Sequence, residues 1–552
     1  MKTFLLSLIL CITIQIANGQ SKLTTSQWQE DLEFLQKTIH DDYSFLFKKT
    51  SPEKLNAAVK MLHKEIPDLE DHQIIVGLAK IVSLFEYGHT SIGLSGWRER
   101  TQFDFHQMSY NLKQFSDGVF IQGTTTQFPR ALGAKVLKIE GTDVDKVIET
   151  VRPIFPTENY QFFKAYGMSY LGNPEILHAA GITKELKKQL TLTLEKDGKI
   201  FDQTFEPIKE KKFPGQYTFV KEEGNWLDAR DNSRDPLYLK HLDKIYFYEH
   251  LTEDNAVYIR HSQIQDDPEE NIPAFYDRVF KFVEENEVEK LILDVRLNGG
   301  GNNYKNKPIV TNILRSRINK PGKLFVITGG HTFSACQNLV NELDNYTEAI
   351  FVGEPTGENI NFYGDNRRVN LPNSNIPVFL SFAWWQDKPQ WENDQWLAPH
   401  LAVESSFKQY TNNEDPALET ILGFTSENFI LDPMSYLTEL YQSGQNEKLQ
   451  TESVRMINDP AYKFFDFEDE FNQLGYDLLG RGDAQTAVAV FGFITQLFPD
   501  SANAWDSLAE ASWKSGDKEQ AIQLYNKAIS MDPDGTVGDN AREMLKKIEA
   551  EK

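Results

Sequence analysis

Three short stretches of the chain hold side chains able to do covalent chemistry. The segment Gly329-Gly330-His331-Thr332-Phe333-Ser334-Ala335-Cys336-Gln337 follows an apolar run and opens a helical one. A serine at such a joint sits beside N–H groups that have no partner inside the helix, at the positive end of the helix dipole. Those groups suit the oxyanion that develops during acyl transfer. Residue types alone leave Ser334 as either a nucleophile or a plain helix N-cap. A second segment, Asp294-Val295-Arg296-Leu297-Asn298-Gly299-Gly300-Gly301, closes another apolar strand, and its glycines let backbone approach a reacting carbonyl closely. It is not a phosphate loop, because Asn302-Asn303 stand where Lys-Ser/Thr is needed. The third segment, Gly88-His89-Thr90, supplies an imidazole. A serine hydroxyl is a weak nucleophile until a neighbouring base takes its proton, and neutral imidazole suits that task near pH 7. The surroundings of Ser334 are not G-x-S-x-G, which disfavours an α/β-hydrolase.

Other chemically suggestive residues have plainer readings. His331 lies on the turn before Ser334 and reads as solvated or structural, and His400 reads as structural. No H-E-x-x-H or paired Cys/His spacing occurs, so neither a metal nor another cofactor is expected. Ser51-Pro52-Glu53-Lys54 and Ser405-Ser406-Phe407-Lys408 match S-x-x-K, but the K-T-G partner of that site is missing. Trp384, Trp385, Trp391 and Trp396 read as core and cleft wall. Cys336 reads as a packed small apolar group.

These residues need elements to position them. Trp28, Leu32, Leu35 and Ile39 form a helical stripe; Leu55, Val59 and Leu62 form another after Ser51-Pro52; Ile74 to Phe85 carry a third that stops at Gly88. From about residue 100 the period falls to two. Ala134 to Ile139 reads as a strand, Val144 to Val151 as a short helix, and Leu190, Leu192 and Leu194 lead into the turn signal Asp197-Gly198. Val288 to Asp294 and Lys323 to Thr328 are buried strands with helical stretches between, an α/β layer. In the tail Gly482-Asp483 recurs as Gly516-Asp517, Ala487 as Ala521 and Pro499 as Pro533. That period of about 34 residues resembles tetratricopeptide repeats.

The whole chain has 552 residues, a net charge of -24 and 40% hydrophobic residues, which describes a globular protein with ample core. So acidic a chain gains nothing from nucleic acid or anionic lipid. Lys2, the apolar run Phe4 to Ile16 and Ala17-Asn18-Gly19 read as a secretory signal over residues 1–19, cut before Gln20. Leu10 precedes Cys11 where a lipid-attachment site wants a small residue, so no stable membrane anchor is expected. The location is then periplasmic or extracellular. The mature chain keeps Cys336 alone, so no intrachain disulfide forms.

Together these landmarks resemble the S41 peptidases, the family of C-terminal processing and tricorn-type proteases. The resemblance rests on Gly88-His89-Thr90, the PDZ-like stretch Gly133 to Gly141, Asp294 to Gly301, Thr332-Phe333-Ser334-Ala335 and Val352-Gly353-Glu354-Pro355-Thr356-Gly357. It spans roughly residues 25–424 in the family's order. It implies an S41-type α/β core at 216–424 preceded by a helical N-terminal domain 20–99 and a PDZ-like β-rich module 100–215; with the signal 1–19, a helical linker 425–467 and the all-α repeat tail 468–552, which lie outside the resemblance, the chain is expected to be multidomain α/β. It also implies a serine endopeptidase acting on peptide or unfolded protein, with a protein partner conceivable at the repeats. In the processing proteases a lysine about 25 residues after the serine is the base. Asn359 stands there, and no lysine occurs between Ser334 and Lys388, so a Ser–Lys dyad at that spacing is excluded. The tricorn-type arrangement implies Ser334 as nucleophile, His89 as base and Glu392 as the acid, with Asp394 its competitor. The backbone N–H groups of Ala335 and of Gly299 or Gly300 would form the oxyanion hole. Gly88 stands where tricorn-type members carry a serine, and Thr90 could substitute for it. Pro399-His400 stands where the family often has Pro-Asp. Activity is expected to rise through roughly pH 6–7.5, the range of an ordinary histidine. The rival reading is a non-catalytic polypeptide-binding protein that keeps the fold.

Overall fold

A computed structural model describes residues 22–94, 103, 105–209, 213–425 and 429–550. The signal at 1–19 lies outside them. The chain forms two units.

The first unit contains residues up to Gln114, Gly118–Ala229 and Phe362–Trp385. It opens with α1 (Thr25–Asp42), α2 (Pro52–Glu65) and α3 (Asp71–Ser83), and each start is written in the sequence. Thr24 and Gln27 form a capping box, Ser51 accepts from the Lys54 N–H ahead of Pro52, and Glu70 pairs reciprocally with Gln73. The apolar stripes of α1 and α2 are buried as their spacing requires.

The β-rich part comprises β1 (Tyr110–Phe115), β2 (Gly118–Thr125), β3 (Lys135–Ile139), β4 (Thr142–Asp143), α4 (Val144–Val151), α5 (Tyr160–Tyr166), α6 (Pro174–Ala179), β5 (Leu190–Lys196), β6 (Lys199–Phe205), β7 (Gly215–Gln216), β8 (Phe219–Val220) and β9 (Trp226–Asp228). Seven strands make one sheet in the order β1-β2-β3-β5-β6, with β4 on β3 and β9 on β2, while β7 and β8 pair apart. Asp197 and Gly198 join β5 to β6 with φ of 52° and 70°, the two positive values that a tight hairpin turn demands. A further antiparallel hairpin, Asn361–Asn370 with Pro377–Gln386, lies in sequence inside 216–424 but mostly belongs to this unit. Ser91 and Phe379 exchange backbone hydrogen bonds of 2.8 and 2.9 Å across it, which fixes the segment that follows His89.

The second unit holds a six-stranded sheet. Its strands are β10 (Tyr246–Leu251), β11 (Ala256–His261), β12 (Lys290–Asp294), β13 (Leu324–Thr328), β14 (Ile350–Gly353) and a short last strand, Leu401–Ala402. β10 runs antiparallel to β11 and the rest are parallel. Side chains alternate between two apolar layers. Leu291, Leu293, Leu324 and Val326 face α7 (Ile272–Glu285), α8 (Lys307–Arg315) and α9 (Ala335–Tyr346). Ile292, Phe325, Ile327 and Val352 pack with residues of α11 (Pro416–Leu422), which follows the short α10 (Phe407–Thr411). Cover on both faces explains why these strands read as continuous apolar runs. The connections place the tips of β12 and β13 and the start of α9 at the carboxyl edge of the sheet, where such folds hold their ligands.

Seven helices complete this unit: α12 (Pro433–Gln442), α13 (Asn446–Asn458), α14 (Phe467–Gly480), α15 (Ala484–Leu497), α16 (Ala502–Lys514), α17 (Lys518–Met531) and α18 (Thr536–Ala550). α12 and α13 share an apolar cluster with the helices that follow them. Phe429 and Leu431 pack on the sheet's second apolar layer, and Lys463 pairs with Glu404, so the tail is anchored to the α/β core.

Candidate active site

The end of β12 is fastened by charge. Arg296 reaches both carboxylate oxygens of Asp415 at 2.9 and 3.0 Å and Asp294 at 2.9 Å, while the Tyr258 hydroxyl donates to Asp294 at 2.7 Å. A planar guanidinium between two carboxylates gives directional, charge-assisted bonds. Asp294 and Arg296 therefore serve to hold the loop that follows.

Asn298 is the hub of that loop. Its side chain donates to the His261 carbonyl at 2.9 Å and accepts the Gly300 N–H at 3.0 Å, and its own carbonyl accepts the Phe333 N–H at 3.1 Å. Gly300 lies at φ 94°, and a Cβ there would stand 2.6 Å from Ser334 Cβ and 2.8 Å from the Ala335 nitrogen. Only glycine permits this approach.

Ser334 occupies the N-cap position of α9 with φ 57° and ψ -129°, and its side chain caps no N–H. A non-glycine residue in that conformation costs of order 1–3 kcal/mol and persists only when its surroundings over-determine it. The surroundings do so. The Ser334 carbonyl accepts from Gln337 and Asn338. Thr332 ties the preceding turn to Val295, and the Ser334 N–H donates to Glu358 Oε2 at 2.5 Å. Glu358 is fully buried. Its segment is fixed by the Gly357 N–H on the Thr332 carbonyl and by Thr356, whose hydroxyl donates to the Glu358 carbonyl at 3.2 Å. Asn298 engages the Gly300 N–H, which leaves Gly299 and Ala335 as the donors expected from the sequence for an oxyanion.

His89 belongs to the first unit and sits on the turn after α3. The Gly88 N–H donates to Glu158 at 2.8 Å, and Glu158 lies 4.0 Å from Lys49. The Thr90 hydroxyl donates to Ser381 at 2.8 Å and accepts the Ser381 N–H at 3.1 Å, so it is an anchor of the turn. The His89 ring stacks on Phe362 with centroids 6.5 Å apart, and its carbonyl accepts from Asn366. Burial pushes the imidazole down to about 4, against a weaker upward pull from Asp365. This differs from the ordinary histidine range expected from sequence, because a desolvated ring disfavours its charged form.

Glu392 and Asp394 line a cavity of about 1070 Å³ together with Trp396, Phe464, Asp469 and Glu470. Burial, then Asp469 and Glu392, push the Asp394 carboxyl up. The Glu392 carbonyl accepts from Asn361 at 2.9 Å. The carboxylate bonded to Ser334 is thus Glu358, which sequence reasoning missed; its one signal was its place directly after Val352 to Gly357.

The remaining residues fall as follows. His331 is buried. His400 stacks on Phe351 and accepts its N–H at 3.0 Å, a structural role. Cys336 is fully buried in the apolar layer. Trp391 is 78% exposed, whereas Trp384 lies under Lys48 at 3.6 Å. Among the described residues no group of three or more His, Cys, Asp or Glu is arranged to hold a metal ion, and no helix is long and apolar enough to cross a membrane.

A family model for the tetratricopeptide repeat matches residues 478–548. No curated protein matches the chain. Among solved structures it is similar to mature CPAF, with 12% identity over 72% of this chain and 96% of that one and a TM-score of 0.48. It is also similar to the photosystem II D1 C-terminal processing protease, with 13% identity, 72% and 97% coverage and a TM-score of 0.32. For the tricorn protease the values are 14% identity, 72% and 36% coverage and a TM-score of 0.34.

Proposed function

We propose that the chain is an exported serine endopeptidase with Ser334 as nucleophile, His89 as general base and Glu392 as the acid that orients the base. The observation that carries this reading is the backbone of Ser334. A serine held at φ 57° at a strand-to-helix joint, with a hydroxyl that caps nothing, is arranged to present that hydroxyl and not to start a helix. The segment at 1–19 supports export.

In the reaction, Ser334 Oγ forms a bond to the scissile carbonyl carbon as its proton passes to neutral His89. The carbonyl oxygen takes the negative charge and meets the N–H groups of Ala335 and Gly299. Collapse breaks the C–N bond, and His89 returns the proton to the leaving amine. Water, deprotonated by His89, then attacks the acyl-serine ester; the ester C–O bond breaks, His89 returns the proton to Ser334 Oγ, and the acid leaves. A base held near 4 by burial is uncharged at neutral pH, the form that can accept a proton.

The test is a fluorophosphonate probe on the full chain, with the labelled peptide identified by mass spectrometry. Labelling at Ser334, with Ser334→Ala losing roughly 10³–10⁶-fold in peptide turnover at unchanged melting temperature, is expected. A folded chain with no label at Ser334 would instead be a polypeptide-binding protein.

A further inference from the structure

We propose that Glu358 is a positioning residue for Ser334: through the Ser334 N–H, its buried carboxylate sets the backbone conformation that presents the hydroxyl. This rests on the serine-hydrolase reading of the site. Three observations carry it. Glu358 is fully buried, and burying an ionisable side chain is unfavourable unless a specific partner takes it up. A partner at 2.5 Å is the N–H of Ser334 itself, a donor at the start of α9, where the helix dipole favours an anion. Ser334 is also the residue in that turn held at positive φ, so the bond falls where the chain is least able to hold its shape unaided.

The contact does a second thing. An N–H of the nucleophile is well placed to reach an oxyanion, and here it is turned to Glu358. Of the donors expected for the hole, Ala335 and Gly299 then remain, so a substrate carbonyl would enter between the glycine loop and the first turn of α9. Glu358 thus positions the hydroxyl and excludes one donor from the hole, and it touches no reacting atom.

Reach and charge can be separated by two substitutions. Glu358→Gln keeps the length and an oxygen acceptor but loses the charge; Glu358→Asp keeps the charge but is one methylene short of the Ser334 N–H. Positioning predicts that the Gln variant retains kcat and the fluorophosphonate labelling rate within about tenfold, with an unshifted pH profile. It predicts that the Asp variant loses at least about 10²-fold in both, with KM little changed. The reverse order would make the charge the operative property and overturn the proposal, as would wild-type rates in both variants or equal loss in both. Thermal melts of the two chains accompany the rates, and a variant that does not fold is replaced by Glu358→Ala with the same prediction as Asp. Failure of the wild-type chain to label at Ser334 would sink the hydrolase reading itself, an outcome distinct from all of these.

Discussion

The turns that carry Ser334 and His89 are built alike and strained differently. Each uses a buried glutamate to accept a backbone N–H: Glu358 from Ser334 at 2.5 Å, and Glu158 from Gly88 at 2.8 Å. Ser334 sits at φ 57°, whereas neither Gly88 nor His89 is among the positive-φ residues of the chain. Glu158 also has Lys49 at 4.0 Å and bonds the residue before the proposed base, not the base itself. The His89 turn has an independent second anchor in the Thr90–Ser381 pair. The Ser334 turn should therefore depend on the reach of its acceptor for chemistry, and the His89 turn on its acceptor only for stability.

The largest effect expected outside Ser334 is that of His89→Gln, a loss of at least roughly 10³-fold in kcat. The acid limb of kcat/KM for the wild-type chain should lie below 6.5 and toward 4, because burial pushes the ring down to about 4. The sign for stability follows from the same shift. The unfolded chain binds the proton first, so the contribution is whole above 6.5 and is lost as pH falls from 6.5 through 4. A limb that stays near 6–7.5 would show that the ring is more solvated during turnover. A limb and rate that survive His89→Gln would assign the base elsewhere, with His331 next to test.

Glu392→Gln comes second, with an expected fall on the order of 10²-fold in kcat if it orients the base. This residue stands apart from both turns, in the cavity it shares with Asp394, Asp469 and Glu470. The tail contributes Asp469 and Glu470 to those walls, so removal of residues from 430 onward would also expose the Glu392 loop. An unaffected Glu392→Gln variant would remove Glu392 from the mechanism and leave the Ser334–His89 pair without a carboxylate at that position.

What could be read in the sequence was local. The strand-to-helix joint at Ser334, the helix Val144–Val151 and the Asp197-Gly198 turn each follow from periodicity and turn chemistry within a few residues. What could not be read depends on contacts across the fold. Glu358 sits in Gly357-Glu358-Asn359, a polar run with no period, and its meaning lies 24 residues earlier at Ser334. The Arg296–Asp415 pair joins residues 119 apart, so the loop's fastening was invisible beside its glycines. The hairpin at 361–386 was equally hidden, since nothing in its alternation says that it packs mostly with the helices of the first unit.

The smallest expected effect sharpens the comparison most. Glu158→Gln keeps an oxygen to accept the Gly88 N–H and loses the charge that pairs with Lys49. The turn retains the Thr90–Ser381 anchor and the Ser91–Phe379 hydrogen bonds, and its positive φ of 53° falls on Glu86, away from the bonded Gly88 and from His89. Activity should therefore stay within about tenfold. Stability should fall by roughly 1–3 kcal/mol, the scale of a buried hydrogen bond to a charged group, read as a lower melting temperature. Lys49 is about a quarter exposed, so water takes up part of its lost interaction and the lower end of that range is expected. The measurement is a thermal melt beside kcat on one peptide, with Glu358→Asp run in parallel. If Glu158→Gln costs as much activity as Glu358→Asp, backbone strain at the functional residue is not what separates the two turns.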